Sequence, residues 1–268
     1  MSDEMTEKST VEHHTPLAVA RSVRAELARL EEMLCHGHHP VEAVATGVKH
    51  VPAWLRQTKG EPRWVVSLAV LAAVAFQLLL PDVLALGPSW LLPVPELVLF
   101  VVLVVANPVR ISRESKLLRL ASLTLIAVIS VANAWSAGTL VVGLTQGRFG
   151  EDAGPLLMTG AAIWLTNVIV FALWYWEFDR GGPVARALAR KPLPDFQFVQ
   201  MQSPELAHPD WEPAFMDYLY LSFTNATAFS PTDVLPLSRW AKATMLLQSA
   251  ISLVTVALVI ARAVNVLK

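Results

Sequence analysis

The chain has one cysteine, Cys35, so an intrachain disulfide is excluded and a reducing compartment suits the segment that carries it. Charge is scarce: only 16% of residues are Asp, Glu, Lys or Arg, and the net charge is −1. Nucleic acid is therefore not an expected partner, since phosphate backbones are held by clustered cations. The opening MSDEMTEKST lacks both a basic stretch and an apolar run, and is not expected to act as a cleaved signal peptide. What fills the chain is apolar: 54% of it is hydrophobic, beyond an ordinary soluble domain. These residues are gathered into runs long enough to cross a bilayer.

Five such runs stand out: Trp64 to about Leu80, with a possible extension toward Leu86; Leu91 to Ala106; Leu118 to Leu144; Leu156 to Phe178; and Trp240 to Leu267. Trp64, Trp90, Trp174, Tyr175 and Trp176 sit at their ends, as interfacial aromatics do. No charged residue lies near the middle of any run, which argues against a proton-coupled carrier. Nor is there an acid–base pair or an activated nucleophile, so neither enzymatic activity nor a cofactor is expected. Asn133, Asn167, Ser122, Ser130 and Ser136 are the polar exceptions, placed to hydrogen-bond between helices.

Lys and Arg alternate between the connections. Lys49, Arg56, Lys59 and Arg63 precede the first run; Arg110, Arg113, Lys116 and Arg119 lie between the second and third; Arg180, Arg186, Arg190 and Lys191 follow the fourth. The intervening connections carry none or only Arg148. The bias puts the N-terminus on the cytoplasmic side of a cell (plasma or inner) membrane, with the lipid bilayer as an obligate partner.

The first sixty residues differ in kind. Thr15-Pro16 supplies an N-cap and a first-turn proline, and Ala20, Val23, Leu27, Leu30 and Leu34 then recur at helical spacing. An amphipathic helix is expected there. Cys35, His36, His38 and His39 follow, and this group reads either as a polar turn or as thiolate and imidazole ligands for a metal. The organisation is thus a cytoplasmic helical extension over 1–62, three transmembrane helices over 63–154 and a C-terminal module over 155–268.

Within that module, a polar and proline-rich connection over 179–213 leads to DYLYLSFTNATAFSPTD at 217–233 and then the last apolar run. About a dozen residues of amphipathic helix are too short to span but suit a re-entrant segment. The string YLSFTNATAFSPTDVLPLS resembles, without a gap, the pore loop of the tetrameric potassium channels, whose pattern is aromatic-x-S-F-x-T-x-T-T-V-G-Y-G-D-x-T-P-x-T. Phe223 takes the pore-helix aromatic position, Asn225 and Thr227 fall on threonines, and Asp233, Pro236 and Ser238 keep their places. The likeness covers about the last sixty residues and extends to an outer helix in the fourth run. The whole layout also looks like a group of bacterial membrane proteins with degenerate pore-like C-termini. The resemblance implies a homotetramer and a pore for small ions, lined by Thr224, Asn225, Ala226, Thr227, Ala228, Phe229, Ser230, Pro231, Thr232 and Asp233.

The potassium filter itself is missing. Ser230 and Thr232 replace its two glycines, and Pro231 stands between them. A carbonyl filter needs backbone conformations that glycine tolerates, that β-branched threonine resists and that proline forbids. What remains implied is a weakly selective cation pore ringed by Asp233, or a non-conducting scaffold on a channel-derived fold. On the last helix Thr244, Gln248, Ser252, Thr255 and Arg262 fall within about 80° of one another at 100° per residue. Such a stripe suits a water-facing wall and interhelical hydrogen bonding equally well. The expected fold is an all-α integral membrane protein: five transmembrane helices, a re-entrant segment before the last, and an N-terminal amphipathic extension.

Overall fold

A computed structural model describes residues 51–111, 115–148, 152–227 and 233–266. The amphipathic pattern of the N-terminal extension and the Cys35/His36/His38/His39 group lie outside them, as do Ala228, Phe229, Ser230, Pro231 and Thr232. Among the described residues the chain is helical apart from one pair of two-residue strands. The helices are α1 (Trp64–Leu78), α2 (Pro93–Ala106), α3 (Lys116–Thr145), α4 (Ala153–Phe178), α5 (Pro183–Ala187), α6 (Val199–Gln202), α7 (Phe215–Ala226) and α8 (Arg239–Val266). Strands β1 (Phe196–Gln197) and β2 (Leu235–Pro236) are antiparallel, with Phe196 opposite Pro236.

Three helices, α3, α4 and α8, are long and apolar enough to cross a membrane. The first two apolar runs make shorter helices of 15 and 14 residues. At about 1.5 Å per residue these measure roughly 22 and 21 Å, against a hydrocarbon core of about 30 Å. The cause is proline: Pro81 disfavours helix in the residue before it, and Pro93 opens α2 at its first turn.

The bundle is built around α4. Its sequence is apolar on every side, which suits a helix buried all round over its C-terminal half, and α1, α3, α7 and α8 all pack against it. Gly160 sets the approach of α8: a Cβ there would stand 2.7 Å from Val259 Cγ1 and 3.3 Å from its Cβ. Gly160→Ala should therefore lower stability by about 1–3 kcal/mol, as overpacking does. Gly138→Ala, in α3 with nothing within 4 Å of the added atom, is the matched control and should be neutral or better. Thermal unfolding of the two variants in one detergent tests the contrast, and equal melting temperatures would sink it.

One end of the bundle gathers many termini. The 60–63 segment zips onto the α2–α3 connection through Ile111 N–H to Glu61 O (3.0 Å), Arg63 N–H to Val109 O (3.1 Å) and Arg110 Nη1 to Gly60 O (2.6 Å). Gly60 has φ +76° and its missing Cβ would lie 2.7 Å from Ile111 O, so glycine is required. The C-terminus of α4 and the starts of α7 and α8 meet at this same end: Glu61 bonds Trp176 and Phe215, and Asp195 bonds the Trp240 indole. Helix α7 thus leaves one end of the bundle, and the chain returns to that end before α8 begins.

Candidate functional site

The tip of α7 reaches about a third of the way along α8. Asn225, in its last turn, donates from Nδ2 to Met245 O (2.9 Å) and to Gln248 Oε1 (2.8 Å). Gln248 lies nine residues past Arg239, about 14 Å along the helix. It is wholly buried and is the hub of a network joining three helices. Its Oε1 also accepts from Tyr175 of α4 (2.6 Å), and its Nε2 donates to Ser222 O (2.9 Å) and Ser222 Oγ (2.6 Å) of α7. Ser222 Oγ donates in turn to Val168 O of α4 at 2.6 Å. Every Gln248 donor and acceptor atom thus has a partner, as burial demands.

The rest of the α8 stripe is used in the same way. Ser252 Oγ accepts from the Trp164 indole of α4 at 2.6 Å, and Ser249 donates to Asn225 Oδ1 at 3.1 Å. Thr255 Oγ1 donates back to Ile251 O, and Thr244 Oγ1 to Trp240 O and Ala241 O. Gln248, Ser252 and Thr255 are buried within one chain, while Thr244 and Arg262 are half-buried. A wall facing a shared aqueous axis would be exposed on an isolated subunit. Between its polar ends α8 exposes apolar side chains: Leu246, Leu247, Leu253, Val254, Ile260 and Val264. Of the two roles open to the stripe, the packing displays interhelical hydrogen bonding at Gln248 and Ser252.

On α7 the remaining positions divide. Thr224 and Thr227 return their hydroxyls to their own helix, and Ala226 is buried. Met216, Tyr220 and Phe223 are exposed on the outward face. Asp233, two residues ahead of β2, is half-buried and acts electrostatically on the Tyr220 hydroxyl.

No family model, curated protein or solved structure matches this chain. The site is therefore read from its own geometry.

That geometry includes a buried charge cluster that the sequence reading does not single out. Arg186 of α5 is 6% exposed and donates from Nη1 to Trp176 O (2.5 Å) and Asp179 O (3.1 Å). Its Nη2 faces Glu61 Oε2 at 3.9 Å, and its guanidinium lies 5.0 Å from the centre of the Tyr218 ring. Glu61 accepts from the Trp176 indole (2.7 Å) and from Phe215 N–H, so its carboxylate also meets the N-terminus of α7. Asp179 accepts from Tyr218 OH (2.6 Å) and Asp195 N–H (2.8 Å). Arg180, left-handed at φ +53°, reaches Lys191 O (2.7 Å) and Trp54 O (2.6 Å). Burial pushes the Glu61 carboxyl above its usual range, and Arg186 opposes that shift. The 179–213 connection is thus a folded cap on one end of the bundle. Its one advance signal is the charge-and-glycine run EFDRGG directly behind the α4 aromatics.

Two polar contacts match their expected role. Ser130 Oγ accepts from the Trp174 indole (2.9 Å), and Ser136 donates to Leu84 O (3.0 Å) across helices. Asn133 and Asn167 are buried. Glu96 is wholly buried in the first turn of α2, next to Gln77 of α1.

Proposed function

We propose that this chain is a membrane-embedded interaction protein on a pore-loop-like fold, non-conducting by itself. In this reading it makes five crossings, α1, α2, α3, α4 and α8, with α7 as a re-entrant half-helix. The return of the chain to the same end on both sides of α7 supports the re-entrant part. That end also carries Arg56, Lys59, Arg63, Arg110, Lys116, Arg186 and Lys191, which supports a cytoplasmic setting for it. The observation that carries the functional reading is Gln248: the polar stripe that a conducting relative would turn to water is consumed by bonds among α4, α7 and α8. The amphipathic pattern at 15–34 supplies a face for a partner. Two measurements test this. Purified protein in planar bilayers should give no current above the empty bilayer, and a stoichiometric partner should co-purify and disappear on deleting residues 1–40. A current that falls on Asp233→Asn would overturn the reading.

A second reading is favoured by Asp233. It is a weakly selective cation pore, formed by a homotetramer around the 224–233 segments. The carboxylate of Asp233 stands at the mouth of the returning loop beside the exposed Tyr220, where four copies would ring an entrance and draw cations. Currents indifferent to Asp233 would exclude it.

A further inference from the structure

One cavity of the described chain lies away from the α7–α8 module. It measures about 300 Å³ and opens where α1, α2, α3 and α4 converge near the end that gathers the basic residues. Its rim and its floor differ in chemistry. Among the described residues, Arg63, Lys116, Arg119 and Arg190 line it along with a single carboxyl group, that of Glu177. Glu177 is already engaged by Ser122 Oγ at 3.1 Å, and Arg119 and Arg186 act on it electrostatically. The deeper walls are Val70, Phe100, Leu103, Leu125 and Ile126.

Three further features point to an anion. Arg63 Nε is buried and has no hydrogen-bond partner, and burial pushes its guanidinium below the usual arginine range. An anion in the cavity would relieve that cost. Lys116 also begins α3, whose N-cap Ser115 gives no side-chain hydrogen bond and whose first turn has no acidic residue. The N-terminus of this thirty-residue helix, without a side-chain cap from Ser115, therefore lies at a cavity-lining segment. Arg63 immediately precedes α1, which likewise has no acidic residue in its first turn and no side-chain cap.

The apolar floor decides what kind of anion. A soluble phosphate ester has no use for Val70, Phe100, Leu103, Leu125 and Ile126. On either side of the opening, α2 exposes Val101 and Val105, and α3 exposes Leu117 and Leu120, so the outer surface beside it is hydrocarbon-compatible. We propose that this cavity binds the phosphate-bearing headgroup of an anionic phospholipid, with Arg63, Lys116 and Arg119 on the phosphate and the α2–α3 groove on the first part of an acyl chain. The volume suits a ligand of this size, and basic pockets between helices at a membrane boundary suit anionic headgroups. The proposal rests on the membrane reading above and holds whether or not the protein conducts.

The test uses the full-length protein. In detergent micelles doped with phosphatidylglycerol, about one anionic lipid per chain should be retained in native mass spectra and the melting temperature should rise. Phosphatidylcholine at the same mole fraction should do neither. Arg63→Gln with Arg119→Gln should weaken apparent lipid affinity roughly tenfold per arginine, the usual consequence of losing a charge-assisted bond. Arg148→Gln, at the other end of α3, should leave it unchanged. Leu103→Trp fills the apolar part without touching charge and should also exclude the lipid, so a poorly folded double variant does not end the test. Equal retention of phosphatidylcholine would overturn the proposal. So would glycerol 3-phosphate or inorganic phosphate raising the melting temperature as much as phosphatidylglycerol, which would assign the cavity to a soluble phosphate.

Discussion

Gln248→Leu should cost about 2–4 kcal/mol of stability and loosen α7 from the bundle. Gln248 takes part in four hydrogen bonds: two to Oε1, from Tyr175 and Asn225, and two from Nε2, to Ser222 O and Oγ. Interhelical bonds in membranes average only about 0.6 kcal/mol each, with a maximum near 1.7. Four together, with buried donors left unpaired in the variant, give the estimate above. Leucine fits the space approximately, so the loss is one of partners more than of volume. Ser252→Ala, which removes only the acceptor of the Trp164 indole, should cost no more than about 1 kcal/mol. Denaturant titration in mixed micelles, read by tryptophan fluorescence, separates the two. The comparison also bears on function. If Gln248 faced water in a pore, its leucine variant would fold as well as the parent and change only conductance. A Gln248→Leu protein within about 0.5 kcal/mol of the parent would therefore count against the hub.

The second large effect is expected at Arg186. Its guanidinium sits among Glu61, Glu177 and Asp179, and no other basic side chain comes as close to Glu61 and Tyr218 among the described residues. Arg186→Met keeps much of the volume and removes the charge, leaving buried carboxylates uncompensated. Removing one partner of a buried pair costs about 3–5 kcal/mol. Adding Glu61→Gln should recover part of this, because it removes the uncompensated buried charge while its one carbonyl oxygen keeps either the Trp176 indole or the Phe215 N–H as a donor. The pH dependence has a definite sign. In the parent, burial already raises the Glu61 carboxyl above its unfolded value, and Arg186 holds the shift down. Without Arg186 the folded carboxyl takes its proton at a still higher pH than the unfolded chain does. Between those two values the folded state binds more protons, so stability rises as pH falls. The Arg186→Met deficit should then be largest near neutrality and shrink on acidification toward the ordinary carboxylate range. Melting curves of parent and variant at several pH values check it. A deficit independent of pH would mean that lost packing, not lost charge, is what the variant reports.

These two residues mark how far the chain could be read before its structure. Five apolar runs and the short amphipathic segment before the last helix are legible because they depend on local rules. Backbone hydrogen bonds close within a segment, and a helix repeats every 3.6 residues. The polar stripe Thr244, Gln248, Ser252 and Thr255 is legible for the same reason. Which way it points is not. Periodicity tells which residues share a side of α8, but the rotation of α8 about its axis is set by what α4 and α7 offer, namely Tyr175, Trp164, Ser222 and Asn225.

Gly160 and Arg186 fall on the same side of that line. A glycine in an apolar helix and an arginine in a polar connection each have an ordinary reading by sequence. Only the approach of Val259 makes one indispensable, and only the convergence of Glu61, Glu177 and Asp179 makes the other a buried counter-charge. The amino-acid sequence by itself determined that the chain is helical, where its apolar helices lie, three of them long and apolar enough to cross a membrane, and which residues share the polar side of α8. The tertiary structure decided that the polar side of α8 is sealed against α4 and α7, that the 179–213 connection is a folded cap, and that basic side chains surround a cavity. Burial and pairing are properties of residues far apart in the chain, and no local pattern can carry them.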